Sequence, residues 1–208
     1  MELGAAMHPI PVISGEIMEY TSYQQIYQAL QTEVYNRCIL PSNKFGIGCY
    51  YHIEAVVRNA ELLAEKFHAD KETVMIAAWL HDIASVTDYS LYEEHHIHGA
   101  EIASSLLTQM QYDTQKIPLI QACIRNHRGS VPGAKVSAEE LCIADADAIS
   151  HFDSVPSLLY LAYVERGMSI SEGIDFVRGK LERSYRKLSP DSKDFYYDKY
   201  QNVMAILK

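Results

Sequence analysis

The stretch "AAWLHDIAS", residues 77–85, joins an apolar run to the pair His81-Asp82 and then continues with small and polar residues. The preceding residues, "TVMI" at 73–76, are also mainly apolar, so the segment predicts a helix that is buried on all sides. Imidazole and carboxylate groups are costly to bury without partners. The fold must therefore supply something inside the protein that satisfies His81 and Asp82.

Helical periodicity extends from this stretch along nearly the whole chain, and alternation typical of strands is almost absent. Residues 52–67 form the clearest amphipathic helix, and further helices are predicted at about 16–38, 97–110 and 115–127. Asp70 is a candidate cap for the helix that contains residues 77–80. Capping residues predict three later helices, at Ser137 with Glu140, at Ser169 with Glu172, and at Ser189-Pro190. The predicted fold class is all-α.

Length and composition predict one domain over residues 1–208. Its core spans about 50–150, with a helical N-terminal extension at about 16–40 and C-terminal helices at about 155–207. The net charge of −9 argues against a nucleic-acid polymer as partner. Four cysteines without a CxxC pair indicate reduced thiols. Without a membrane-spanning run or a signal-peptide pattern, the expected location is the cytoplasm.

Several metal-binding residue types fall on the apolar faces of separate predicted helices. Asp145 shares a stripe with Leu141, Ala144, Ala148 and Ile149, whereas Asp147 lies roughly 200° away at 100° per residue, so Asp145 is preferred. His98, near the start of the 97–110 helix, is an additional candidate. The main candidates are His52, His81, Asp82, His127 and Asp145.

Each candidate alone has a simpler explanation. A single histidine on an apolar face is usually a hydrogen-bonded core residue, and a lone aspartate at a helix end is usually a cap. His95, His96 and His98 could equally form a solvated loop, and His8, His68 and His151 are predicted to lie on the surface. Three imidazoles and two carboxylates in one core are expensive unless they hold a cation, so the combined pattern favours a divalent metal site.

The order of His52, the adjacent His81-Asp82 and the later Asp145 resembles the HD-domain superfamily of metal-dependent phosphohydrolases. The segment "YHIEAVVRNAELLAEKFHADKETVMIAAWLHDIAS" resembles the first two helices of that family. "HHIHGAEIASSLL", "IRNHRGS" and "LCIADADAIS" resemble the segments that follow. The resemblance covers roughly residues 50–150.

The resemblance implies that His52, His81, Asp82 and Asp145 hold a divalent ion such as manganese, iron, nickel, magnesium or cobalt. His98 and His127 occupy places where some subfamilies add ligands for a second ion, with Asp82 as the bridging carboxylate. A divalent ion makes hydroxide available near neutral pH and polarises a phosphoryl oxygen. Arg128 and Lys44 are candidates to offset phosphate charge, and Asp88 could orient water or substrate, although solvated and capping roles are more usual for such residues.

Three functional hypotheses follow. The first is a hydrolase that cleaves a phosphate ester or anhydride of a small substrate, above all a nucleotide, with Asp82, His127 and Arg128 in the catalytic site. The second is a di-iron oxygenase of the same superfamily, and the third is a non-catalytic nucleotide-binding module. Hydrolysis of cyclic dinucleotides or of ppGpp is disfavoured because the motifs of those subfamilies are missing. The fifteen tyrosines also leave a homodimer open.

Overall fold

A computed structural model describes residues 22–128 and 135–207, and every regular element within these ranges is helical. A 3₁₀ turn at Tyr89–Glu94 lies between α4 and α5, and a π-helical turn at Leu161–Glu165 follows α8. The all-α prediction is therefore confirmed. The α-helices in chain order are α1 (Tyr23–Cys38), α2 (Gly48–Phe67), α3 (Lys71–Leu80), α4 (Ile83–Thr87), α5 (His95–Gln109), α6 (Ile117–Asn126), α7 (Ala138–Asp153), α8 (Val155–Tyr160), α9 (Ile170–Lys187) and α10 (Pro190–Ile206).

Side-chain caps begin these helices where the sequence predicts them. The Asp70 carboxylate accepts a hydrogen bond from the Thr73 amide at 2.9 Å, which satisfies one free N–H at the start of α3. Capping boxes at Ser137 and Ser169 begin α7 and α9, and the Ser189 hydroxyl caps α10. The first predicted helix is seen from Tyr23 onward, and its residues 16–21 lie outside the described ranges.

Helices α2 and α7 pack together more extensively than any other pair and form the centre of the protein. The Asn59 side chain of α2 donates to the Asp153 carboxylate of α7 at 2.7 Å and links the middle of α2 to the last residue of α7. Helices α3, α6 and α9 pack around α7, so α7 is buried on almost every face rather than along one stripe. This central position lets α7 present polar side chains in more than one direction.

Helices α5 and α6 approach each other closely at Gly99. The ideal Cβ position of Gly99 lies 3.3 Å from the Cγ2 atom of Ile124 and 3.6 Å from the His81 carbonyl oxygen. A larger residue at position 99 would push these elements apart, because buried side chains are already closely packed. Gly99 thereby brings the start of α5 next to the ends of α3 and α6.

The cysteines Cys38, Cys49, Cys123 and Cys142 are free thiols. This agrees with the sequence-based expectation of reduced cysteines. Among the helices in residues 22–128 and 135–207, none combines the length and the apolar character needed to cross a bilayer.

Glu140 joins the end of α6 to the start of α7, and its charge should stabilise the fold. Its carboxylate accepts from the backbone amides of Val136 and Ser137 at 2.7 and 2.8 Å and from the Asn126 side chain. Burial alone would raise the pKa of Glu140, but these donors, Asn126 foremost, lower it. We expect Glu140→Gln to lower the free energy of unfolding by about 1–2 kcal/mol near neutral pH.

The pH dependence of this loss follows from the direction of the shift. A carboxyl group whose pKa is lower in the folded state stabilises the protein above the unfolded pKa, about 4.3 for Glu, and less as the pH falls. Urea unfolding should therefore show a constant difference between wild type and variant above about pH 5 that shrinks below about pH 4. The control Glu139→Gln keeps its oxygen for the exposed contact with the Asp70 amide and should change stability little. An undiminished difference at acidic pH would contradict this role of the charge.

Candidate metal centre

Four histidines on separate elements direct their rings to one place between α2 and α7. His52 lies in the second turn of α2, and His95 is the first residue of α5. His81 and His127 occupy the C-cap positions of α3 and α6. The ring centroids of His81 and His52 are 5.6 Å apart, and those of His81 and His127 are 5.2 Å apart. Side chains distant in sequence thus converge on one cluster.

The local hydrogen bonds explain why the apolar helix α3 ends in His81-Asp82. The Nδ1–H of His81 donates to the Ala78 carbonyl at 2.8 Å and satisfies one of the free carbonyls at the end of α3. Asp82 then occupies the N-cap position of α4. His127 ends α6 in the same way, with Nδ1 at 2.6 Å from the Ile124 carbonyl. The helix ends therefore hold these rings in fixed orientations.

The other two rings are held through the same nitrogen. His95 Nδ1 lies 2.7 Å from the Tyr92 carbonyl oxygen. The Ser150 hydroxyl donates its hydrogen to the Asp147 carbonyl at 2.6 Å, so its oxygen accepts from His52 Nδ1–H at 3.0 Å. With Nδ1 as the donor in all four rings, each neutral imidazole presents an unprotonated Nε2 to the cluster.

These Nε2 atoms face other acceptors rather than donors. His95 Nε2 and His127 Nε2 are 3.2 Å apart, and His81 Nε2 is fully buried with no hydrogen-bond partner among the described residues. A buried acceptor without a donor is costly, and a cation placed among these lone pairs removes that cost. Orientation of a ligating imidazole by a hydrogen bond at its other nitrogen is also the usual arrangement in metal sites. The donor set therefore fits a metal ion.

The potential ligands form two groups that meet at Asp82. The first contains His52, His81 and Asp147, and the second contains Asp82, His95 and His127, with the ligand atoms of each group within 4.8 Å of one another. Metal–ligand bonds of about 2.0–2.2 Å span such groups with small adjustments. The Asp82 Oδ1 lies 3.4 Å from His95 Nε2, and its Oδ2 lies 3.5 Å from His81 Nε2. Asp82 thus faces both groups, one with each oxygen.

The electrostatics of the cluster keep its groups in the forms that bind metal. Burial would raise the pKa of Asp82, but the surrounding imidazoles, His81 foremost, outweigh burial and lower it. Burial likewise opposes ionisation of Asp147, yet the neighbouring His52, with the positive charge of Lys180, holds its pKa well below the usual range. Burial, with the nearby His81, lowers the pKa of His127 to about 4. The carboxylates are therefore ionised and His127 is neutral at pH 7.

The structure brings together four of the sequence-predicted residues, His52, His81, Asp82 and His127, but not Asp145. Asp145 is buried as predicted, yet its carboxylate accepts hydrogen bonds from the backbone amide of Ser189 at 3.0 Å and from the Ser189 hydroxyl at 2.5 Å. It therefore holds the start of α10 against α7. Asp147 takes its place in the cluster, with Oδ1 at 3.4 Å from His52 Nε2. The preference for Asp145 over Asp147 is corrected accordingly.

His98 is also replaced, in this case by His95. His98 is partly exposed, and its ring lies 3.8 Å from the carboxylates of Glu94 and Glu101 rather than in the cluster. Helix α5 begins at His95, two residues before the predicted start, and the 3₁₀ turn before it turns His95 inward. His95, His96 and His98 therefore belong to a helix rather than to a solvated loop, and the histidine that faces the cluster is His95 rather than His98.

His151, predicted to lie on the surface, is instead buried beside the cluster. Its ring centroid is 4.6 Å from that of His52, and its Nδ1 is 3.3 Å from the Ser184 hydroxyl of α9. Burial, together with the positive charge of Lys180, holds the pKa of His151 well below its usual range. The four-residue spacing from Asp147 to His151 was the sequence signal for this shared face of α7.

Arg128, Lys44 and Asp88 do not line the cavity beside the cluster. The Arg128 guanidinium donates to the Glu93 carbonyl oxygen and so joins the end of α6 to the 3₁₀ turn. Lys44 is exposed, and Asp88 caps the 3₁₀ turn by accepting from the Ser90 amide at 2.8 Å. The capping alternative is therefore the one that the structure shows for Asp88.

A cavity of about 350 Å³ opens onto the cluster at His52 and Asp82. Phe45 and Tyr92 line it with ring centroids 5.1 Å apart. Three cations also line it, Arg166 after the π-helical turn and Lys180 and Arg183 on α9. Sequence reasoning missed all three, because isolated basic residues in a polar helix carry no motif. The cavity therefore joins a candidate metal centre to basic and aromatic walls.

The fold and the cluster together define an all-helical protein with a His/Asp centre suited to divalent metal ions. The family model for the HD domain matches residues 49–151, which contain all six residues of the two ligand groups. The match identifies residues 49–151 as an HD domain, the domain of a superfamily of metal-dependent hydrolases. No curated protein matches the sequence.

Two solved structures share the fold. A protein from Lactobacillus plantarum has 18% sequence identity and a TM-score of 0.63, and the alignment covers 91% of this chain and 93% of that one. A protein from an uncultured Thermotogales bacterium, described as a predicted HD superfamily hydrolase, has 23% identity and a TM-score of 0.51. The second alignment covers 89% of this chain and 94% of that one. The helices outside residues 49–151 are thus part of the shared architecture.

Proposed function

We propose that this protein is a metal-dependent phosphohydrolase that cleaves a phosphate ester or anhydride of a small substrate, with nucleotides as the substrate class. The observation that carries the proposal is the set of Nε2 atoms that converge on two ionised carboxylates beside a cavity with a basic wall. A divalent ion bound there supplies hydroxide near neutral pH and polarises a phosphoryl oxygen. The ligands would be His52, His81, Asp82, His95, His127 and Asp147.

The residues of this chain contribute orientation and charge. The helix-end carbonyls fix the tautomers of His81 and His127, so neither ring must reorganise for metal binding. Lys180, the cation of the basic wall that acts electrostatically on Asp147, offsets the negative charge on the equatorial oxygens of a phosphoryl group, a role that the sequence suggests for Arg128. His151 lines the cavity beside His52, with the two ring centroids 4.6 Å apart.

The size and lining of the cavity support a nucleotide rather than a polymer. A volume of about 350 Å³ is near the lower end of small-molecule sites, which span roughly 300–1,000 Å³. The Phe45 and Tyr92 rings offer aromatic surface to a planar base, and Tyr89 stacks on Tyr92 with centroids 5.7 Å apart. A substrate with a flat ring at one end and phosphate at the other suits both walls.

The position of Asp82 between the two ligand groups favours a dinuclear centre. The same arrangement supports the second candidate, a di-iron oxygenase acting on an organic substrate. The hydrolase is preferred because the basic wall is suited to phosphate. A non-catalytic nucleotide-binding module is the third candidate, which the complete ligand set disfavours.

Metal analysis combined with a substrate panel tests the proposed function. We expect protein purified without added metal to contain one or two divalent ions per chain and to release phosphate from at least one nucleotide in the presence of manganese, iron, nickel, magnesium or cobalt. Chelation should lower the rate at least about 100-fold, and addition of the same ion should restore it. Two irons per chain with dioxygen-dependent turnover and no phosphate release would support the oxygenase. Nucleotide binding without turnover under any of these ions would support the binding module.

A further inference from the structure

The basic wall of the cavity has more positive charge than a single phosphoryl group on the metal centre can use. The described residues that line the cavity include three cations, Arg166, Lys180 and Arg183, but only one carboxylate, Asp82. Within residues 22–128 and 135–207, these three cations form no ion pair or side-chain hydrogen bond with a carboxylate. Divalent ions would make the cavity more positive still. Unpaired cations around a concave site favour an anionic ligand.

The three cations are spread along the wall rather than gathered at the cluster. Lys180, on α9, acts electrostatically on both Asp147 and His151 and so lies at the cluster end. Arg183 lies one helical turn beyond Lys180 on the same helix, where neighbouring side chains are about 5–6 Å apart. Arg166 lies on another side, with its guanidinium 4.8 Å from the Phe176 ring and its charge acting on Tyr92. The two arginines therefore reach the cavity from different parts of the chain, while Lys180 lies at the cluster end.

We propose that Arg183 and Arg166 form a second anion subsite that binds a phosphoryl group other than the one that is cleaved. The substrates would then carry at least two phosphoryl groups, as nucleoside diphosphates and triphosphates do. This inference rests on the proposed phosphohydrolase function and makes it more specific. Arginine side chains suit this role because their planar guanidinium groups form paired hydrogen bonds with phosphate oxygens.

The subsite belongs to the part of the chain outside the HD-domain match. Residues 166–183 follow the matched residues 49–151, and α9 reaches the cavity because it packs against α7. Ser184 of α9 contacts His151 at 3.3 Å, which fixes this helix beside the cluster. Phe176 supports the Arg166 guanidinium on one face and leaves its edge available to an anion. Arg166 and Arg183 are exposed and Lys180 is half-buried, so an anion can reach these cations from solvent.

Calorimetric titration with two hydrolysis-resistant probes tests the subsite. Methylphosphonate carries one phosphoryl group and methylenediphosphonate carries two, and both can be titrated into the protein as purified. We expect the wild type to bind the diphosphonate at least about tenfold more tightly. In Arg166→Gln/Arg183→Gln the preference should fall to less than about threefold, with the affinity for methylphosphonate changed less than about twofold. Lys180→Gln, at the cluster end, should instead weaken the binding of both probes to a similar extent.

Arg178→Gln is the matched control, because Arg178 is an exposed arginine of α9 that does not line the cavity. It should keep the full preference, and circular dichroism should show unchanged helix content in every variant. If Arg166→Gln/Arg183→Gln retains the diphosphonate preference, the metal centre with Lys180 holds both phosphoryl groups and the proposed subsite is wrong. The proposed function fails separately, if the wild type binds neither probe and releases no phosphate from any nucleotide.

Discussion

Asp82→Ala is expected to remove bound metal and to lower phosphate release by about 10³-fold or more. Asp82 is the carboxylate that faces both ligand groups, with His81 at 3.5 Å from one oxygen and His95 at 3.4 Å from the other. Its loss takes away the negative charge around which the Nε2 atoms converge. Metal content measured by inductively coupled plasma mass spectrometry and initial rates of phosphate release provide the two readouts.

His98→Ala is the control for this prediction, because His98 is a partly exposed histidine of the same region that contacts Glu94 and Glu101. It should retain full metal content and change the rate less than about twofold, as surface substitutions usually do. If Asp82→Ala keeps both its metal and its rate, the two-group centre is not the reaction site. A variant that folds, as judged by circular dichroism, but has lost metal and activity supports the centre directly.

Asp147→Ala should affect metal binding and Asp145→Ala should affect stability, although the two positions are only two residues apart on α7. Asp147 contacts His52 Nε2 at 3.4 Å, so Asp147→Ala should lose metal and lower phosphate release by about 100-fold or more. Asp145 instead accepts from the amide and hydroxyl of Ser189. Asp145→Ala should therefore keep its metal but lose about 2–3 kcal/mol of stability, because two buried donors at the start of α10 lose their acceptor.

Metal content and thermal unfolding, measured on both variants, separate the two roles. Ser189→Ala is the matched test of the stability effect, since it removes the hydroxyl donor to Asp145 and the cap of α10 together. It should unfold at a lower temperature than wild type and retain its metal. Loss of metal from Asp145→Ala with full retention in Asp147→Ala would restore Asp145 as the ligand and refute the geometry described for α7.

Much of the helical fold could be predicted because its signals are local. Apolar residues at three- and four-residue steps identified α2, and the capping boxes at Ser137 and Ser169 marked the first residues of α7 and α9. The shorter elements were not predictable in the same way. Helix α4, the 3₁₀ turn at Tyr89–Glu94 and the π-helical turn at Leu161–Glu165 are too short to show a period.

The choice between Asp145 and Asp147 on α7 shows why burial alone cannot identify a metal ligand. An apolar stripe indicates which face of a helix is buried, but α7 is surrounded by α2, α3, α6, α9 and α10. Asp145 and Asp147 are consequently both inside the protein while pointing to different neighbours. Only the positions of the surrounding helices determine that α10 meets one aspartate and α2 meets the other. That arrangement is tertiary and has no signature in the periodicity.

The histidines of α5 show a second limit. His95 and His98 are three positions apart, so they lie only about 60° apart around a helix, and periodicity does not choose between them. The choice follows from the start of α5 at His95, where the preceding 3₁₀ turn places this ring against Asp82. That turn is stabilised by the Asp88 cap and by the stacking of Tyr89 on Tyr92.

Because α9 packs against α7, the metal ligands and the cations of the cavity wall come together from different parts of the chain. The candidate metal ligands lie between residues 52 and 147, whereas the cations of the cavity wall lie between residues 166 and 183. The two sets meet only through tertiary contacts such as that of His151 with Ser184. Substitutions in α9 can therefore change which anions are admitted while the ligand-bearing helices keep their geometry. In evolutionary terms, such an architecture permits selectivity to diverge between relatives without any change in the chemistry they share.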